Sequence, residues 1–270
     1  MIASLLVALQ IAATVPALEI QSTTSSETSG MAAGGSGKSV MTVANGNMKL
    51  EQTEHTGPAL PGAGAGTYML MRGAQKKMYS VDPAKKQYYE FDIDKMQAQV
   101  GAMLKNMPGM QMKFSKLNSK VEDLGDGEAL LGHPTRHYRM TNEMVANATM
   151  MSDTLTITMS TTTESYYAKD IKVDWSTMVS GDTAVLSQFR ELIPGVDAAK
   201  FRESVAKLPR LVPLKSITTT SSHFGPMEQV IKVTQVVTKV DKKQVPASIF
   251  EIPAGYKKVE MPSLAGPERQ

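Results

Sequence analysis

The chain is expected to fold as an α+β protein, mainly β, built on an antiparallel sheet with two helical insertions. Apolar and polar residues alternate with a period of two along most of it, and turn residues punctuate the alternating runs. No succession of strand, helix and strand of the kind that builds a parallel sheet occurs.

Taken in order, the first element is not a strand. Residues 1–17 are apolar (Leu5, Leu6, Val7, Leu9, Ile11), carry no charge and end in Val15-Pro16-Ala17, small residues that suit a signal peptidase; Glu19 follows at once. This predicts a cleaved export signal, too short for a membrane span of about 20 residues. Residues 23–38, rich in Ser, Thr and Gly, read as a flexible connection. Strands are expected at 39–43 and 47–52, joined by a tight Asn45-Gly46 turn, then at 67–72, 77–81 and 87–91, the last two joined across Asp82-Pro83. Residues 56–66 read as a hairpin tip. The first helix is expected over 94–105, with Met96, Val100, Met103 and Leu104 on one side and Pro108-Gly109 as its stop. Strands return at 135–140 and in the run where Leu155, Ile157 and Met159 interleave with Thr154, Thr156 and Thr158. A second helical insertion is expected over 182–208, and strands at 214–220 and 230–240 close the domain. The organisation is a signal at 1–17, one domain over 18–262 and a flexible tail at 263–270.

Composition excludes several classes. The chain of 270 residues has no cysteine, so disulfides, thiol nucleophiles, thiolate metal sites and a lipidated N-terminal cysteine are ruled out. Lys+Arg 29 against Asp+Glu 26 is too even to imply nucleic acid, and no later segment could cross a bilayer as a helix. The run from Ala32 to Ser39 fits a relaxed phosphate loop, but it follows a Ser/Thr stretch and opens a strand rather than a helix. His133 and His137 are four apart, yet Pro134 and the alternating residues after it make a strand there, with no acidic third ligand at useful spacing. No nucleophile, base and orienting partner can be assembled, so an enzyme is not expected, and neither is a cofactor.

Methionine is the unusual residue, with 20 in the chain. Thioethers bind Cu(I), so the cluster Met103, Met107, Met110 and Met112 is an alternative metal site. The competing reading is that methionine gives an adaptable apolar lining.

Four phrases, Met78-Tyr-Ser-Val-Asp-Pro-Ala-Lys-Lys-Gln-Tyr-Tyr-Glu-Phe-Asp92, Leu131-Gly-His-Pro-Thr-Arg-His-Tyr138, Glu164-Ser-Tyr-Tyr-Ala-Lys-Asp170 and Phe250-Glu-Ile-Pro-Ala-Gly-Tyr-Lys-Lys258, together resemble an exported bacterial family, domain of unknown function 4412. That family is similar to the periplasmic lipoprotein carriers of the LolA/LolB type. The resemblance implies a strongly curved antiparallel sheet, a half or incomplete barrel, with helices covering its open side and an apolar cavity between them. It supplies no catalytic residue. The expectation is a soluble periplasmic protein that binds a lipid or lipidated protein, with an envelope protein as a possible partner. Cavity-lining candidates are Met69, Met71, Tyr79, Tyr89, Phe91, Met96, Val100, Met103, Leu155, Ile157 and Met159. A ligand-free structural module is the remaining alternative.

Overall fold

The computed structural model describes residues 13–29, 34–56, 66–75, 77–91, 110–150, 153–173, 203–204 and 206–260. Strands β1 (Thr14–Ser29), β2 (Gly35–Ala44), β3 (Asn47–Thr56), β4 (Tyr68–Arg72), β5 (Lys77–Asp82) and β6 (Gln87–Phe91) are followed by four long ones, β7 (Met110–Leu130), β8 (His133–Met150), β9 (Asp153–Lys172) and β10 (Leu211–Phe224). Then come β11 (Met227–Pro246), a 3-10 turn at Ala247–Phe250 and the short β12 (Lys257–Lys258). All lie in one sheet in the order β12-β6-β5-β4-β3-β2-β1-β11-β10-β9-β8-β7. Every pair is antiparallel except β12 with β6.

The turns are where their residues require them. Asn45 and Gly46 sit at φ 49° and 72°, the double positive φ of a two-residue hairpin, and Leu131 and Gly132 repeat it at 52° and 81° between β7 and β8. Asp82 holds its own turn, its Oδ1 accepting from the Lys85 backbone N–H at 3.1 Å.

The sheet curls toward one face. The main core cluster joins Leu18 and Ile20 of β1, Val43 of β2 and Met48 of β3 to Ile171 at the end of β9, Val212 and Leu214 of β10, and Val237 of β11. Met71 of β4 and Leu130 of β7 pack on that same cluster although most of the sheet separates their strands. The cluster runs across the neighbouring strands β3-β2-β1-β11-β10-β9 of the open curved sheet, and its face is taken as the inner one. The outer face is covered over β1–β6 by the chain that follows β11. Phe250 packs with Ala17, Ala44 and Val245, while Ile252 and Tyr256 pack on Leu70, Tyr79 and Val81. Burial of Tyr68 there, close to Tyr256 and Glu51, pushes its hydroxyl pKa up to about 12.

Several sequence expectations are corrected. The α+β class is wrong: the described chain is nearly all strand, one open curved sheet, and among the described residues no helix covers its open side. The expected helix at 94–105 lies outside the described residues, as do residues 182–202 of the second; Glu203, Ser204 and Ala206 are helical. Strands also run far beyond the alternating windows. Residues 23–29 and 35–38, read as a loop, belong to β1 and β2, and residues 110–130 form a strand that alternation did not reveal. Phe250 closes the 3-10 turn, and Ile252 follows just after it. Register explains most of this. Ser and Thr on a strand's inner side hide the period of two, yet bond across strands as well as apolar residues pack. Finally, β1 begins at Thr14, so the cleavage point expected after Ala17 falls inside a strand whose Thr14–Ala17 segment pairs with residues 243–246.

Candidate binding face

Register sorts the inner face into two chemistries. In the short-strand half, β2 to β6, two cross-strand rows run side by side. One is Met41, Leu50, Met69, Ser80 and Tyr89, and the other is Val43, Met48, Met71, Met78 and Phe91. Val43, Met48 and Ser80 are buried, whereas Met41, Leu50, Met69, Met71, Met78, Tyr89 and Phe91 are half-buried. The result is an apolar surface left partly open on its inner side.

In the long-strand half a strip of the same face is hydroxylic, beside the apolar Leu155, Ile157 and Met159. Thr161 faces Thr220, Thr163 faces Thr218 and Ser165 faces Ser216, each pair with oxygens 3.1 Å apart. The strip continues through Gln235, whose Nε2 donates to Ser22 Oγ at 3.2 Å, and through Ser22 to Ser39 at 2.9 Å. At its ends stand buried side-chain oxygens of Gln52, Ser119 and Asn142 that find no hydrogen-bond partner among the described residues. Methionines border the strip, with Met140 opposite Thr163 and Met144 opposite Met159.

Toward the β7–β8 hairpin the long strands become ionic on both faces, with Arg136 on the side of Tyr138 and Met140 and with His137, Arg139 and Glu164 on the opposite side. Arg136 grips Asp123 through Nε and Nη2 and reaches Asp126 through Nη1, at 2.8 to 3.0 Å. Those hydrogen bonds hold both carboxyls below the usual aspartate range; Lys169, donating to Asp126 at 2.6 Å, is the larger influence on the latter. Glu164 is likewise held low, first by the bond from Arg139 and secondarily by His137, whose Nε2 lies 3.2 Å away. His137 stacks on Tyr166 at 4.3 Å between ring centroids. Gly127 makes room for that ring, since a Cβ there would stand 2.8 Å from Tyr166 Cδ1 and 2.6 Å from Thr135 Oγ1. Among the described residues no group of three or more His, Asp and Glu is placed to hold a metal ion.

The expected lining residues divide accordingly. Met69, Met71, Tyr89 and Phe91 meet on the inner face of the short strands. Tyr79 does not join them: it pairs with Leu70 and Glu90, points outward and is buried under the C-terminal segment. Leu155, Ile157 and Met159 share the inner face of β9, opposite Ala148, Ala146 and Met144. Met96, Val100, Met103 and Met107 lie outside the described residues, and Met110 and Met112 occupy the first turns of register in β7. Sequence reasoning missed Met41, Met48, Leu50 and Met78, because only their pairing partners place them beside Met69 and Met71.

A cleft of about 430 Å³ opens at the end of the sheet where β1 meets β11, lined by Pro16, Ala17, Leu18, Lys172, Lys242, Lys243 and Gln244. It mixes apolar floor with basic rim and is not a closed apolar chamber. Lys243 is engaged by Glu19. The phosphate-loop reading ends here too, because 35–39 is paired strand and Lys38 is bonded to Glu54 at 2.9 Å.

Among the described residues no helix is long and apolar enough to cross a membrane. No protein-family model matches the chain, so membership of domain of unknown function 4412 is not shown, and no curated protein matches it. Two solved structures are similar. A domain named for outer membrane lipoprotein sorting, from Vibrio parahaemolyticus, is 8% identical with a TM-score of 0.28, covering 88% of this chain and 89% of that one. A DUF1329 family protein from Desulfovibrio piger is 9% identical with a TM-score of 0.29, covering 87% and 89%. Scores of that size carry no argument for ligand or lineage, and what the chain does has to be read from its own inner face.

Proposed function

We propose that the chain is an exported, non-enzymatic binding protein that holds the acyl chain of a lipid or lipidated protein against the inner face of β2–β6. The observation that carries this reading is the pair of rows through Met69 and Met71, apolar side chains left half-buried on the concave side of a curved sheet. Each methylene removed from water there is worth about 0.8 kcal/mol, so a long chain needs no specific polar contact. Flexible, polarizable thioethers suit a ligand whose shape varies. Export rests on the uncharged apolar residues 1–17.

Titration with a fluorescent fatty acid tests the proposal, alongside lipid extraction from protein purified from its own host. The native chain is expected to bind, Met69→Asp to lose binding, and Met227→Asp, on the exposed β10–β11 tip, to keep it. Absence of any bound amphiphile together with no binding of the probe contradicts the reading.

A further inference from the structure

In the two inner-face rows, β2 to β5 contribute Met41, Val43, Met48, Leu50, Met69, Met71, Met78 and Ser80, so five of these eight positions are methionine. Strand propensity does not account for this, because valine, isoleucine and aromatic residues suit a half-buried strand better. Three of the five stand in one cross-strand line on adjacent strands: Met48 opposite Met71, and Met71 opposite Met78. Directly opposed residues have Cβ atoms about 4.5–5.5 Å apart, a gap that two flexible thioether arms can close onto a shared ion. Met69 lies diagonally from both ends of the line and offers a fourth sulfur.

We propose that Met48, Met71 and Met78 form a soft-metal site that takes Cu(I) through their thioether sulfurs. The donor set selects it. Thioethers are neutral and soft, so they favour Cu(I) over zinc, which prefers imidazole, thiolate or carboxylate, and over magnesium or calcium, which need oxygen. Met48 is buried while Met71 and Met78 are half-buried, so an ion at the line would rest on an apolar floor and stay open to exchange on its other side. The proposal uses other methionines than Met103, Met107, Met110 and Met112, and it does not depend on the acyl-chain reading.

The test exploits the fact that leucine keeps the volume and apolar character of methionine and loses the sulfur. The full chain is titrated with Cu(I) under anaerobic, reducing conditions against a chromophoric Cu(I) chelator, beside M48L/M71L/M78L. The native chain is expected to withdraw Cu(I) from the chelator, equally at pH 5.5 and pH 7.5 because thioethers do not titrate. The triple variant is expected to lose that ability while keeping its circular dichroism spectrum and its melting temperature, which shows that the sheet is intact. Undiminished Cu(I) binding in the triple variant, no withdrawal by the native chain, or loss of binding in M110L/M112L instead would each overturn the site. Loss of fatty-acid binding by the native chain would leave the metal result standing, so the two readings fail separately.

Discussion

The two halves of the sheet share one inner face and hold themselves together differently. The short strands are gripped from both sides: the main core cluster lies on their inner face, and Phe250, Ile252 and Tyr256 close their outer face. The long strands share that cluster through Ile171, Val212, Leu214 and Val237, and beyond it they rely on hydroxyl pairs inside and ion pairs on both faces. Apolar packing is nondirectional and leaves a surface that a ligand can share, whereas a paired hydroxyl strip is already satisfied. On the proposed reading, the short strands bind the ligand and the long strands hold the sheet.

Truncation of the core gives the largest expected effect in both halves and sets the scale for the rest. Leu70→Ala and Leu214→Ala remove side chains with no exposed surface, and each is expected to cost about 2–5 kcal/mol in urea unfolding. Gly127→Ala comes next. Its new methyl must displace Tyr166 or Thr135, and a loss of about 1–3 kcal/mol is expected by the same assay. In the hydroxyl strip, Thr163→Val leaves Thr218 without its partner and should cost about 0.5–1.5 kcal/mol, while T163V/T218V, which removes both hydroxyls, should recover part of that. If Thr163→Val cost as much as Leu70→Ala, the contrast between the halves would collapse.

Acid gives the smallest effect. Asp123, Asp126 and Glu164 are held below their unfolded values in the folded chain, so their contribution is present above the unfolded carboxylate range, about pH 4, and is lost as pH falls through the depressed folded values. Asp123 and Asp126 are exposed and Glu164 is half-buried, so the contribution is screened and small. Melting scans from pH 6 down to pH 3 should show a decline that Arg136→Gln makes shallower, because that variant has already given up part of the pairing.

Much of the sheet was legible, and the reasons are local. Asn45-Gly46 and Asp82-Pro83 mark their hairpins because no other residues so readily take the backbone angles a tight turn needs. The stretch 87–91 matches β6, since Tyr88 and Tyr89 must face opposite ways on a strand. Strand β7 was not legible. Its Glu122, Asp123, Gly125, Asp126 and Gly127 have low strand propensity, three register shifts interrupt its pairing, and what holds it is across the sheet, in Arg136 and Lys169. The binding face was half legible. Met69, Met71, Tyr89 and Phe91 follow from alternation within a strand, but Met41, Met48 and Met78 join them only through register, and Tyr79 was set on the wrong face for the same reason.

The central claim is that an acyl chain lies on the short strands and not on the hydroxylic floor of the long ones. Methyl-labelled methionine reports on both at once, because Met41, Met69, Met71 and Met78 mark the first region and Met140, Met144 and Met159 the second. In methyl NMR spectra recorded as a fatty acid is added, the first group is expected to shift in a saturable way while the second stays in place. Shifts confined to Met140, Met144 and Met159, or no shift in any of them, would contradict the account.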